Sequence, residues 1–220
     1  MRLAKPQRDP SLFRMLAVRL LVAAIAALLA FFVCRGIFNP LRGGPPPASL
    51  VSRAEAASPD TGAGAEAFAK ACKVLLHPRC VNCHPEGDRP LVGDRSRPHP
   101  MHVERGRGGL GKNGLFCTTC HQEKNQEYDH TPPGAPEWQL PPEDMKMVFE
   151  KKTPRQLCEQ LKDPARNGSR TPAEVVDHVR DAPLVLWGWH PGDGRTPVPM
   201  PHAEFVKLMS TWADSGAPCP

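Results

Sequence analysis

Two short stretches carry the same set of reactive side chains: Cys80-Val81-Asn82-Cys83-His84 and Cys117-Thr118-Thr119-Cys120-His121. Thiols at this spacing can each bond one vinyl group of a single porphyrin, and the imidazole that follows then falls beneath the iron. C-x-x-C-H is therefore read as c-type heme attachment. Two motifs imply two covalent hemes, held by Cys80, Cys83, Cys117 and Cys120, with His84 and His121 as the proximal iron ligands. The competing chemistry is a zinc ribbon using the four thiols. A histidine directly after each pair counts against that, and equally against a plain disulfide framework.

The opposite faces of the two irons need ligands too. His99, in SRPHPMHVERG, and Met147, in LPPEDMKMVF, lie in irregular Pro-rich stretches where a loop can fold back over a heme, and they are the expected distal ligands. Met200 in PVPMP and His178 beside Val175 are the rivals. Arg105 and Arg107 could pair with heme propionates, because guanidinium binds carboxylate bidentately. Trp138, Trp187, Trp189 and Trp212 are expected to pack on hemes or in the core rather than form a substrate box.

Elements must position these groups. Phe68, Ala71, Cys72, Leu75 and Leu76 recur at helical spacing over 66–77, and Pro78 ends that helix just before the first motif. From 85 to 151 the chain is dominated by Gly, Pro and charged residues, which reads as loops wrapped around cofactors. Thr153-Pro154-Arg155-Gln156 and Thr171-Pro172-Ala173-Glu174 are both helix starts, with an N-cap Thr, Pro next and Gln or Glu at the third helical position. A last helix over 202–215 presents Phe205, Leu208, Met209 and Trp212 on one face, with Gly216 as its stop. The expected fold class is mainly α with extensive loops: a compact diheme cytochrome c-like module behind an N-terminal transmembrane anchor.

Residues 20–34 form an unbroken apolar run of 15 residues preceded by Arg2, Lys5, Arg8, Arg14 and Arg19. A positive flank before an apolar segment is an export pattern. No small-x-small cleavage site closely follows, so an uncleaved anchor in the inner membrane is favoured over a removed signal, and the remainder of the chain is expected on the periplasmic face. The expected organisation is an anchor over 1–38, a Pro/Gly/Ala-rich linker over 39–65 and the diheme domain over 66–220.

Composition supports a cofactor-filled interior. With 27 Pro, 18 Gly and only 6% aromatic residues, a conventional core would be thin for 220 residues. The net charge of +5 does not point to nucleic acid. Residues 1–60 hold eight of the 28 basic and three of the 23 acidic side chains, so residues 61–220 carry 20 of each. Of eight cysteines, four belong to the motifs. Cys158 and Cys219 lie outside them in an exported domain, each on or beside a helix, and are expected to form a disulfide. Cys72 is left as a buried thiol.

A helix leading into C-x-x-C-H and a terminal amphipathic helix that can pack against it resemble the class I cytochrome c superfamily. The motifs lie 37 residues apart, too close for two complete class I domains in tandem, so one compact diheme core is expected. The stretches PRCVNCHPEGDRP, CTTCHQEKN, PPGAPEWQLPP, LCEQLKDPARNG, LVLWGWHPGDGRTP and GAPCP further resemble small bacterial proteins labelled isoquinoline 1-oxidoreductase subunit. That resemblance implies a cytochrome serving a molybdenum hydroxylase as redox partner, the chain being too short to hold a molybdopterin domain itself. The expected function is one-electron transfer. A diheme peroxidase-like enzyme and a heme-based sensor are the alternatives; the close motif spacing counts against the first, and the lack of an effector domain against the second.

Overall fold

The computed structural model describes residues 61–128, 130–192 and 194–220. The expected anchor and nearly all of the expected linker lie outside the described residues. Among the described residues no helix is long and apolar enough to cross a membrane.

Helix α1 (Thr61–Leu75) buries Phe68, Ala71, Cys72, Val74 and Leu75 along one stripe. It begins at Thr61 rather than at Glu66, because the run Thr-Gly-Ala-Gly-Ala, linker-like by composition, is used for close packing. A Cβ at Gly64 would come within 2.6 Å of the Ser215 Cβ and 2.8 Å of Pro218. Only glycine lets the chain end approach α1 there. After α1, the His77 side chain accepts from the Arg79 N–H and caps α2 (Pro78–Val81), whose first position is proline. The first C-x-x-C-H motif therefore starts on a short helix tied directly to the core helix.

Residues 85–150 are mostly irregular. They hold two small antiparallel ribbons, β1 (Leu91–Val92) with β2 (Arg97–Pro98), and β3 (Gly111–Lys112) with β4 (Leu115–Phe116). Helix α3 (Cys117–Cys120) follows β4 directly. What holds this region is Arg105, which is 1% exposed. Its guanidinium bonds the Asp88 carboxylate and donates to the carbonyls of Gly87 and Pro141. Arg105, expected to pair with a heme propionate, thus commits three of its five N–H groups to protein oxygens, because three loop segments converge on it. Arg107 is exposed.

Helices α4 (Pro154–Leu161) and α5 (Pro172–Asp181) both begin with the capping boxes expected, Thr153 with Gln156 and Thr171 with Glu174. Between them Asn167, wholly buried, donates to the Leu161 and Arg170 carbonyls and accepts from the Arg170 N–H, fixing the turn. A one-turn helix α6 (Pro183–Leu186) precedes α7 (His202–Asp214). Phe205, Met209 and Trp212 of α7 face the core, and Trp212 meets Phe68 of α1 with ring centroids 5.0 Å apart. The pairing of the first and last helices is as the sequence suggests.

Cys158 of α4 and Cys219 at the chain end form a disulfide with a Cα–Cα distance of 5.6 Å, across 61 residues. The bridge pins the terminal segment that packs on Gly64. Replacing both with alanine is expected to lower stability by roughly 2–4 kcal/mol, measured as a shift in the urea midpoint at unchanged slope. A midpoint identical to that of the parent chain would show that α7 alone holds the terminus.

Candidate cofactor site

The two motifs are built alike. Past α2 the backbone keeps turning, with Cys83 N–H donating to the Cys80 carbonyl (3.1 Å) and His84 N–H to that of Val81 (3.0 Å). Cys80, Cys83 and His84 thus lie on one side of a continuous turn. His84 Nδ1 is 2.7 Å from the carbonyl oxygen of Met147, and the ring stacks on Phe149 at 4.0 Å between centroids and 8° between planes. In the second motif His121 Nδ1 is 2.7 Å from the Pro133 carbonyl, and its ring stacks on Trp138 at 4.3 Å and 4°.

These bonds have a chemical consequence. An imidazole whose Nδ1–H donates to a carbonyl presents Nε2 as a lone pair, and the ring that backs it sets its orientation. Burial drives His84 down to about 4, with the Met147 carbonyl opposing, and burial likewise lowers His121. At both, burial favours the neutral imidazole, the form that ligates a metal. Burial also pushes Cys80 up to about 12 and Cys83 to about 11, and raises Cys117. Yet Cys80, Cys83 and His84 keep some solvent-accessible surface. Groups deep enough to be desolvated but still accessible line internal clefts. The four motif thiols are free, while Cys158 and Cys219 are bridged.

Around the second motif the cleft is a cavity of about 480 Å³, bounded by Cys117, Cys120, His121, Trp138, Leu91 and Val92, among others. That size suits a cofactor. Cys83 of the first motif lines the same cavity, so the two attachment sites share a wall. Among the described residues no group of three or more His, Cys, Asp or Glu side chains is arranged to hold a metal ion. Of the four motif thiols, Cys83, Cys117 and Cys120 line the cavity, where a planar group could be bonded at its edge.

His99 also lines the cavity. Its Nδ1 is 2.7 Å from the Pro100 carbonyl, and its ring centroid is 6.2 Å from that of His121 at 63°. The expected ligand Met147 is placed differently. Its carbonyl sits behind His84, on the side away from Nε2, so Met147 stands on the His84 side of any metal bound there and not across from it. The cause is local: residues 147–150 run along the motif, with the Phe149 N–H donating to the His84 carbonyl at 2.9 Å. Met200 is half-buried against the core, its carbonyl taking the Trp189 indole N–H at 2.7 Å. His178 lies on the open side of α5, close enough for its charge to depress His84.

Sequence reading missed Phe149 and the two carbonyls, while Trp138, expected to pack on a heme or in the core, stacks on His121. Comparison with known proteins adds no family, since no protein-family model, no curated protein and no solved structure matches the chain.

Proposed function

We propose that the chain is a diheme c-type cytochrome domain that transfers electrons at the periplasmic face of the inner membrane. One observation carries this reading. Each C-x-x-C-H histidine is fixed by a carbonyl at Nδ1 and backed by an aromatic ring, with Nε2 left to ligate. When bound, the heme supplies the one-electron chemistry. The residues supply attachment, orientation and exclusion of water: Cys80 and Cys83 with His84 hold one group, Cys117 and Cys120 with His121 the other.

His99 is proposed opposite His121. His99 and His121 line the same cavity with ring centroids 6.2 Å apart, and the two imidazoles would hold the iron of the second group between them. Opposite His84 we propose His178, the imidazole that the sequence offers as a rival ligand once Met147 stands on the His84 side. Two closed coordination shells suit a carrier, because electron transfer then requires little rearrangement. The redox partner proposed is a molybdenum hydroxylase, on the motif resemblance alone.

Ligand binding separates a carrier from a peroxidase-like enzyme or a gas sensor. The reduced protein is expected to resist carbon monoxide, and the oxidised protein cyanide, at neutral pH. Rapid, stoichiometric binding of either at one heme would favour the alternatives.

A further inference from the structure

We propose that Arg79, the residue immediately before the first attachment cysteine, anchors a carboxylate in the second cavity: it holds a propionate of the heme bonded to Cys117 and Cys120. The inference rests on the two-heme reading and adds a connection between the two sites. Arg79 lies on α2, yet it lines the cavity built around the second motif. It is 5% exposed. One terminal nitrogen donates to the Asp94 carboxylate, which is held from its other side by the Thr196 hydroxyl at 2.7 Å. The guanidinium carbon sits 5.7 Å from the Trp187 ring centroid.

The guanidinium is therefore fixed in place but not satisfied. Its Nε is buried and has no hydrogen-bond partner. A buried donor on a permanent cation is costly unless an acceptor meets it. Asn82, on the same cavity wall, shows the complementary defect: Nδ2 donates to the Gly93 carbonyl at 2.9 Å, while Oδ1 is buried and unpartnered. A carboxylate oxygen satisfies Nε, and one water bound to that carboxylate can donate to Asn82 Oδ1. Leu91, Val92, Leu115 and Trp138 make much of the remaining wall apolar, which fits a largely apolar ligand with few anionic groups. Arg195, the other arginine that lines the cavity, donates to the Pro191 and Thr131 carbonyls, and Arg105 is engaged by Asp88 and two carbonyls.

A buried positive charge beside a heme stabilises its reduced, less positive state and raises its potential; Asp94 works against this, less strongly because its side chain is 44% exposed. Two substitutions in the full heme-loaded chain test the assignment, Arg79→Gln and Asp94→Asn. Both remove the Arg79–Asp94 ion pair, so any purely structural effect is shared. Their charge effects are opposite. Potentiometric titration should move one of two waves, the one lost in the Cys117→Ala/Cys120→Ala chain, to lower potential in Arg79→Gln and to higher potential in Asp94→Asn. The propionate-bending band in resonance Raman should shift in Arg79→Gln. With two hemes counted by intact mass, shifts in the same direction, no shifts, or an unchanged propionate band would overturn the assignment. A parent chain that takes up no heme would instead overturn the cofactor reading on which it rests.

Discussion

Changing Cys117 and Cys120 to alanine is expected to produce a chain carrying one heme instead of two, and to loosen the loops between residues 85 and 150 as well. The reason is the cavity. On the proposed reading the attached group covers its apolar wall, with Leu91, Val92, Leu115 and Trp138, and fills its volume of about 480 Å³. Without attachment, α3 loses its tie to the filling group and its wall faces water. Pyridine hemochrome per polypeptide should fall by half, and proteolysis should cut first within the loops. The reciprocal change, Cys80 and Cys83 to alanine, should harm the fold more, because α2 continues from the core helix α1. Equal heme content in the parent and the Cys117/Cys120 variant would show that the second motif attaches nothing.

The second large effect is expected at His99. With alanine there, the iron ligated by His121 loses its proposed sixth ligand, and no other imidazole stacks or bonds near that ring among the described contacts. The ferric spectrum should gain high-spin character at about half of the hemes, with the other half unchanged, and the reduced protein should bind carbon monoxide at one heme per chain. His178→Ala should do the same at the other heme, and the double variant at both. A His99→Ala protein with an unaltered low-spin spectrum would place another ligand opposite His121.

The legible part of this chain was local. The C-x-x-C-H motifs, the Thr-Pro capping boxes at Thr153 and Thr171, the stop at Pro78 and the amphipathic face of α7 all depend on residues within a turn or two of each other, where spacing alone reports geometry. The start of α1 was misread because Gly and Ala serve a tether and a tight helix contact equally well; only the approach of Ser215 and Pro218 to Gly64 distinguishes them. What backs each histidine was not legible. The Met147 carbonyl comes from 63 residues beyond His84, and a carbonyl has no residue type to announce it. Met147 was chosen for its thioether, while the fold uses its backbone. The proposed shift from Arg105 to Arg79 has a similar cause: a guanidinium in a Gly-rich turn suggests an anion site, but long-range contacts decide which arginine is held by protein oxygens and which keeps a buried Nε without a partner. The Cys158–Cys219 bridge is legible because both cysteines lie outside the C-x-x-C-H motifs, beyond the N-terminal apolar run that holds Cys34, each on or beside a helix.

The most direct test of two covalent cofactors is the intact mass of the chain produced in a periplasm with heme attachment machinery, measured after denaturation so that only bonded groups remain. The mass is expected to exceed that of the polypeptide, in whatever N-terminal form it is recovered, by two heme groups, with both additions surviving acid and organic solvent. A mass equal to the bare polypeptide, or one increased only by metal that acid removes, would contradict the heme reading of both motifs.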